Sequence, residues 1–207
     1  VVSPGIPLSH RWFEELRKSN VKIISEMQLG VEHLKRQNYK IIAVTGSKGK
    51  SSVVKLLAQA LSAVPCGNYG LPVSAASSPS KCAVVEVSSF MMETTDLPSD
   101  TFECAAIVNL QEDHLDRHGT VEHYHALKRK LLSMAVKKVD VPVDFSTVGN
   151  LDAIVKGSYF DNEVLKSNAA IAISVLRECS VAEERIRGAF ENFEPLPHRM
   201  QFIDEIN

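Results

Sequence analysis

Apolar residues follow two different patterns along the chain. Some form short continuous runs, which indicate strands buried on both faces, and others recur every three or four positions, which indicates helices with one apolar face. The continuous runs are IIAVT (41–45), AVVEV (83–87) and AAIVN (105–109). The helical patterns begin at Ser51 and recur over residues 121–134, 165–178 and 182–192. Strands that alternate with helices predict an α/β fold with a mostly parallel sheet flanked by helices.

The segment 135–160 fits neither pattern. Its apolar residues alternate with polar ones around Pro142, Gly149 and Gly157, and this favours a small antiparallel addition to the sheet. In a parallel α/β sheet, ligands bind where the strands end. We therefore expect the functional residues in the loops that follow the three predicted strands.

Composition narrows the kinds of ligand and location. The 207 residues include 23 basic and 25 acidic ones, for a net charge of −2, so the chain has no excess of positive charge for nucleic acid or an anionic membrane. No apolar run is long enough to cross a bilayer, and the four scattered cysteines form no CxxC pair. We expect a cytoplasmic monomer with neither nucleic acid nor membrane as a partner. Any phosphate ligand must then be held locally, by backbone N–H groups and a few cations.

The segment VTGSKGKSS (44–52) joins the first strand to a helix and is typical of a phosphate-binding loop. Gly46 and Gly49 allow a tight turn whose N–H groups point at a ligand. Lys50 supplies a mobile cation, and Ser51 supplies a hydroxyl suited to a phosphate-bound Mg²⁺. The spacing is G-x-x-G-K-S, because a valine stands where the longer Walker pattern has its first glycine. The alternative is a flexible turn with a surface lysine.

Acidic residues mark the other two strands. Glu86 interrupts the apolar run 83–87, and a buried carboxylate needs a partner, for which Mg²⁺ is the candidate. The alternative is a glutamate on an edge strand that faces water. The segment NLQEDHLDRH (109–118) crowds three carboxylates and two histidines after the next strand, and His114 is its candidate metal ligand. A solvated charge cluster is the alternative there.

These segments together resemble the Mur ligases, most closely the members that join D-glutamate to UDP-N-acetylmuramoyl-L-alanine. The resemblance rests on SPGI (3–6), VTGSKGKSS (44–52), GNYGLP (67–72), VVEVSSFMMET (84–94), NLQEDHLDRH (109–118), YHALKRKLL (124–132), SNAAIAI (167–173) and LPHRM (196–200). It implies a P-loop NTPase-like central ATP-binding domain over residues 26–207. It also implies that residues 1–25 are the end of a UDP-substrate-binding domain, and that the C-terminal domain that binds the amino acid is absent.

The resemblance implies a role for each matched residue. The residues implied to bind ATP are Gly46, Ser47, Lys48, Gly49, Lys50, Ser51 and Ser52 at the phosphates, Asn168 at the base and Arg199 at the phosphate end. The residues implied to bind Mg²⁺ are Ser51 and Glu86 for one ion, and His114 and a carbamylated Lys128 for a second. The residues implied to bind the muramoyl substrate are Asn68 and Ser88, with Ser3 and Gly5 near its diphosphate. Lys50, His114 and Lys128 are the implied catalytic residues. The alternative for Lys128 is a solvated helix face shared with Arg129 and Lys130.

The implied reaction uses ATP to convert a substrate carboxylate into an acyl phosphate, from which an amine displaces phosphate. Met91 departs from the family, which usually has glutamine there. The intervals from Lys50 to Asn68 and from Lys128 to Asn168 are shorter than usual, either because this homologue is compact or because loops are missing from the sequence. Three alternatives stay open: a folylpolyglutamate synthetase-like ligase, a P-loop ATPase or kinase, and a truncated nucleotide-binding domain without ligase activity.

Overall fold

Five parallel strands form one sheet in the order β2-β3-β1-β4-β5 in the computed structural model, which describes residues 1–196. The strands are β1 (Lys40–Thr45), β2 (Val64–Gly67), β3 (Cys82–Glu86), β4 (Phe102–Ile107) and β5 (Ala135–Val139). The helices are α1 (Arg11–Lys18), α2 (Glu26–Arg36), α3 (Lys50–Leu61), α4 (Ser89–Met92), α5 (Leu115–His118), α6 (Val121–Leu132), α7 (Phe145–Val148), α8 (Leu151–Val155), α9 (Glu163–Glu178) and α10 (Glu183–Glu191). Because the chain continues to one side of β1 and later to the other, a crevice opens at the carboxyl end of this central strand.

Helices cover both faces of the sheet, and the side chains of β1 show why. Ile42 and Val44 point into a core that includes residues of α3, α9 and α10. Ile41 and Ala43 point into a second core on the opposite face, which includes residues of α2. Successive side chains of a strand point to opposite faces, so a strand between two helical layers must be apolar at nearly every position. The uninterrupted apolar runs of the sequence follow from this arrangement.

The predicted fold class and the three predicted strands are confirmed as β1, β3 and β4, although β4 ends at Ile107 rather than at 109. The antiparallel addition predicted for 135–160 is wrong. Residues Ala135–Val139 form β5, which pairs with β4 in parallel, and α7 and α8 follow it. The alternation there reflects a half-exposed edge strand, since a strand with one wet face alternates whichever way it runs.

The first 25 residues pack against this domain. Val2 pairs in parallel with Ser25, and Phe13 of α1 is buried. The Ser25 side chain accepts a hydrogen bond from the Gln28 backbone N–H at 2.9 Å, which starts α2, and it lies 2.7 Å from the Thr95 hydroxyl. The domain division at residue 25 stays a prediction.

Two helical glycines predict opposite effects of the same substitution. A Cβ on Gly30 in α2 would lie 2.6 Å from the backbone carbon of Val73, whereas a Cβ on Gly188 in α10 would meet nothing within 4 Å among the described residues. Gly30→Ala should lower the free energy of unfolding by about 1–3 kcal/mol through overpacking. Gly188→Ala should raise it by about 0.5–1 kcal/mol through helix propensity. Urea unfolding measures both, and two changes of the same sign would contradict the packing of α2.

Candidate functional site

The glycine-rich loop leaves β1 at the centre of the sheet and enters α3. Gly49 precedes the helix with a φ of 76°, and a Cβ on it would collide with the side-chain amide of Asn168 on α9. Helix α3 begins at Lys50, so Ser51 and Ser52 lie in its first turn, where helix N–H groups have no partner within the helix. The expected strand–loop–helix context of a phosphate-binding loop is therefore present.

Asn109, which the motifs did not single out, fixes this loop. Its side-chain oxygen accepts hydrogen bonds from the backbone N–H groups of Ser47 (3.1 Å) and Lys48 (2.9 Å), and its amide nitrogen donates to the Lys48 carbonyl at 2.8 Å. The Ser47 hydroxyl also donates to the carbonyl of Gln111 at 2.9 Å. The flexible-turn alternative is wrong, because the segment after β4 holds the loop. The available signal was an asparagine just past a buried strand.

Two lysine ammonium groups meet at one carbonyl of the loop. Lys50 Nζ donates to the carbonyls of Gly46 (2.9 Å) and Ser47 (3.0 Å), and Lys128 Nζ donates to the Gly46 carbonyl at 2.8 Å. Lys128 also lies 4.2 Å from the centroid of the Tyr124 ring and is only 1% exposed. The solvated-face alternative for Lys128 is therefore wrong. Two cations so close together attract an anion such as a phosphate.

Burial lowers the pKa of Lys128, the positive charge of Lys50 adds to this effect, and Asp113 opposes it, so that the pKa is about 7. Desolvation disfavours the ammonium form of a buried lysine, and a like charge adds to this. Near neutral pH a large share of Lys128 is therefore the free amine, which is nucleophilic.

Glu86 ends β3, an interior strand between β1 and β2, so the edge-strand alternative is wrong. The residue is 1% exposed, and its Oε1 accepts a hydrogen bond from the Asn68 side chain at 2.8 Å. Its Oε2 is buried and has no hydrogen-bond partner among the described residues. An unpaired buried carboxylate oxygen is costly, and a cation would satisfy it. Mg²⁺ is held in proteins by one or two carboxylates together with phosphate and water oxygens, and the Glu86 carboxylate and the Ser51 hydroxyl are oxygen donors of this kind.

His114 lies in the loop before α5 with a φ of 52°. Its Nε2 is 3.7 Å from Asp113 Oδ2, and its ring contacts Phe90 at 4.9 Å between centroids and Tyr124 at 6.2 Å. It thus lies against the same tyrosine ring as Lys128. Within residues 1–196 no three His, Cys, Asp or Glu side chains are grouped to hold a metal. A second ion would therefore need oxygen atoms from a carbamate and from the ligand.

The candidate substrate residues occupy two places. Ser3 and Asn68 line one cavity of about 540 Å³, together with Met91. The Ser3 hydroxyl accepts a hydrogen bond from the Gly5 N–H at 3.4 Å. The Ser88 hydroxyl instead caps α4, accepting from the Met91 N–H at 3.3 Å. Arg199 lies outside the described residues.

Comparison with known proteins identifies similar chains. Residues 44–143 match the family described as Mur ligase middle domain. The chain is similar to UDP-N-acetylmuramoylalanine–D-glutamate ligase of Chlamydia caviae, with 28% identity over 99% of this chain and 53% of that relative. The enzyme of the same name from Hydrogenobaculum sp. is 32% identical over 98% of this chain and 56% of its own length. The chain thus spans about half the length of these curated relatives.

Solved structures share the fold at low identity. MurF from Acinetobacter baumannii superposes with a TM-score of 0.63 and 16% identity, over 87% of this chain and 52% of that one. E. coli FolC, solved with DHPP and ADP, superposes with a TM-score of 0.54 and 12% identity, over 99% of this chain and 70% of that one. No helix in the described part of the chain is long and apolar enough to cross a membrane.

The unpaired oxygen of Glu86 predicts a specific effect of Glu86→Gln. Without metal, the variant should be at least as stable as the parent, because it removes an unpaired buried charge. With Mg²⁺ and ATP, the parent should gain thermal stability that increases with the logarithm of ligand concentration, and the variant should gain much less. Thermal unfolding with and without ligand measures this. An equal gain in both proteins would contradict a metal site at Glu86.

Proposed function

We propose that the chain belongs to the Mur ligase family, whose middle domain residues 44–143 match, and that it provides the ATP-binding part of an enzyme that joins D-glutamate to UDP-N-acetylmuramoyl-L-alanine. The observation that carries this proposal is the carboxylate oxygen of Glu86 that has no hydrogen bond among the described residues. Glu86 ends β3, which pairs with β1, the strand that leads into the glycine-rich loop. A buried anion there suits a metal-bound triphosphate. The choice of substrates rests on the names of the relatives, which are 28–32% identical over almost the whole chain.

The proposed reaction brings together two anions, the substrate carboxylate and the triphosphate. The carboxylate oxygen forms a bond to the γ-phosphorus as the bond to ADP breaks, and the amine of D-glutamate then displaces phosphate from the acyl phosphate. Catalysis of phosphoryl transfer depends mainly on positioning and charge neutralisation. Lys50, the loop N–H groups and the helix start at Ser51 would hold the phosphates, and Glu86 would hold Mg²⁺, which neutralises their charge.

The second metal and the carbamate belong to the same proposal. The Lys128 ammonium would first lose one proton, and carbon dioxide would then bond to the neutral Nζ with loss of a second proton. The product is an anionic carbamate whose oxygens suit Mg²⁺. The lowered pKa of Lys128 supports this step, because only the neutral amine reacts. Asn168 at the base, and Ser3, Gly5, Asn68 and Ser88 at the muramoyl substrate, complete the proposed assignments. A cytoplasmic location and a monomeric state stay predictions.

The alternatives differ in what the site would bind. The FolC likeness, at 12% identity, concerns the fold alone and does not favour a folylpolyglutamate synthetase. A kinase or simple ATPase would use the loop and Glu86 but would need no carbamate at Lys128. A nucleotide-binding domain without ligase activity would bind ATP and form no amide.

Activity of the full-length protein that contains this chain tests the proposal. With ATP, Mg²⁺, UDP-N-acetylmuramoyl-L-alanine and D-glutamate, phosphate release should match amide formation. Lys50→Ala should weaken ATP binding by about 10- to 100-fold, the size expected for a lost charge-assisted contact. Lys138→Ala, at an exposed position of β5, is the matched control and should leave ATP affinity unchanged. ATP binding without amide formation would favour the non-ligase alternatives.

The pKa of Lys128 predicts a pH dependence for carbamate formation. At a fixed concentration of dissolved ¹³C-labelled carbon dioxide, the carbamate signal of Lys128 in an NMR spectrum should rise as pH increases through about 7. Ordinary lysines stay protonated there, because their pKa is about 10.4. Lys128→Met should remove the signal, and Lys138→Met should keep it. A signal that persists in Lys128→Met would contradict the assignment.

A further inference from the structure

The side chain of Arg117 binds three consecutive carbonyls of the N-terminal segment. Its Nη2 donates to the carbonyl oxygens of Pro4 (3.3 Å) and Ile6 (3.0 Å), and its Nη1 donates to that of Gly5 (3.4 Å). The Ile6 N–H donates a hydrogen bond to the Ser3 carbonyl at 3.1 Å, and this bond closes residues 3–6 into a tight turn. The Arg117 guanidinium thus sets the direction of three carbonyl groups in this turn.

Arg117 is itself held by a carboxylate. Its Nε and Nη2 donate to the two oxygens of Glu93, at 3.1 Å and 2.6 Å, and the two side chains are only 15% and 9% exposed. The Arg117 guanidinium also lies 5.0 Å from the centre of the Phe90 ring. A planar guanidinium in a bidentate pair has little rotational freedom, so it can fix other groups in turn.

The Glu93 carboxylate also lies next to a second residue of the segment after β4. Glu93 Oε1 lies 3.4 Å from Nδ1 of His118, although not in hydrogen-bonding orientation, and His118 Nε2 pairs with the Ser89 hydroxyl at 2.9 Å. Arg117 and His118 both lie in α5, which follows His114 directly. The turn at 3–6, the short helix α4 and the segment that carries His114 are therefore joined at Glu93.

This junction lies beside a cavity of suitable size. Ser3 and Pro4 line the cavity of about 540 Å³ that Asn68 and Glu26 also line, and Asn68 is hydrogen-bonded to Glu86. Carbonyl oxygens that pointed into such a cavity would repel an anion. Because three of them accept from Arg117 instead, their negative ends face a cation and do not add to the repulsion of an anion. The acidic group of the lining, Glu26, accepts a hydrogen bond from the Ser74 N–H at 2.7 Å.

We propose that Arg117 is a positioning residue for the diphosphate of the nucleotide-sugar substrate. It holds the turn at 3–6 in the orientation that accepts an anion and, through Glu93, keeps that turn at a constant distance from the site of phosphoryl transfer. The inference rests on the proposed function. It goes further in assigning a task to Arg117 and Glu93, neither of which touches the proposed ligands.

Separate binding measurements on the full-length protein test this. The probes are UDP, which has the diphosphate without the sugar, UDP-N-acetylmuramoyl-L-alanine, and ATP with Mg²⁺, each titrated by calorimetry. Arg117→Met should weaken both uridine ligands by about 10- to 100-fold, the loss typical of a charge-assisted contact, and should change ATP affinity by less than about 3-fold. Arg117→Lys should recover only part of the loss, because an ammonium cannot pair with Glu93 bidentately while reaching three carbonyls. Glu93→Gln should fall between Arg117→Met and the parent.

Arg129→Met is the matched control, because Arg129 is about half exposed on α6 and pairs with Asp140 at 3.6 Å. It should leave all three affinities unchanged. Unchanged binding of the uridine ligands in Arg117→Met would overturn the proposal, and so would an equal loss for ATP, which would indicate general loosening of the fold. If Arg117→Met does not fold, Arg117→Lys decides in the same way. A parent protein that binds ATP but neither uridine ligand would overturn the proposed function, and with it this inference.

Discussion

The parallel direction of all five strands is the constraint on which the rest of this structure depends. Because parallel strands end at the same edge, the loop after β1, the end of β3 and the segment after β4 converge although they are far apart in sequence. Asn109 shows the consequence directly, since the segment after β4 supplies the hydrogen bonds that fix the loop after β1.

That edge gathers charges that are incompletely balanced by the protein. Lys50 and Lys128 share the Gly46 carbonyl, and the burial of Lys128, together with the positive charge of Lys50, lowers the pKa of Lys128. The Glu86 carboxylate has one oxygen without a hydrogen bond in the described part of the chain. Such arrangements destabilise a fold and are kept where a ligand compensates them. A triphosphate with Mg²⁺ has the charges that would do so.

Charge pairing also organises the turn formed by residues 3–6. Arg117 pairs with the Glu93 carboxylate and donates hydrogen bonds to three carbonyls of the turn, so this ion pair sets the orientation of the turn. The pair also joins segments that the sequence places more than a hundred residues apart. The turn at 3–6 is thereby coupled to the segment that carries His114.

Sequence by itself determined the fold class, the three central strands and the phosphate loop, because apolar runs, glycines and a Lys-Ser pair report local conformation and burial directly. It also indicated Glu86, since a carboxylate in an apolar strand is conspicuous. The edge strands were missed or misassigned. Strand β2 has four residues, including Pro65, and the alternation in β5 carries no information about strand direction. Only the tertiary structure decided that Lys128 is buried and that Asn109 and Arg117 hold distant segments. A lysine, an asparagine or an arginine is also stable when exposed to solvent, and its role depends on which groups the fold brings within hydrogen-bonding distance.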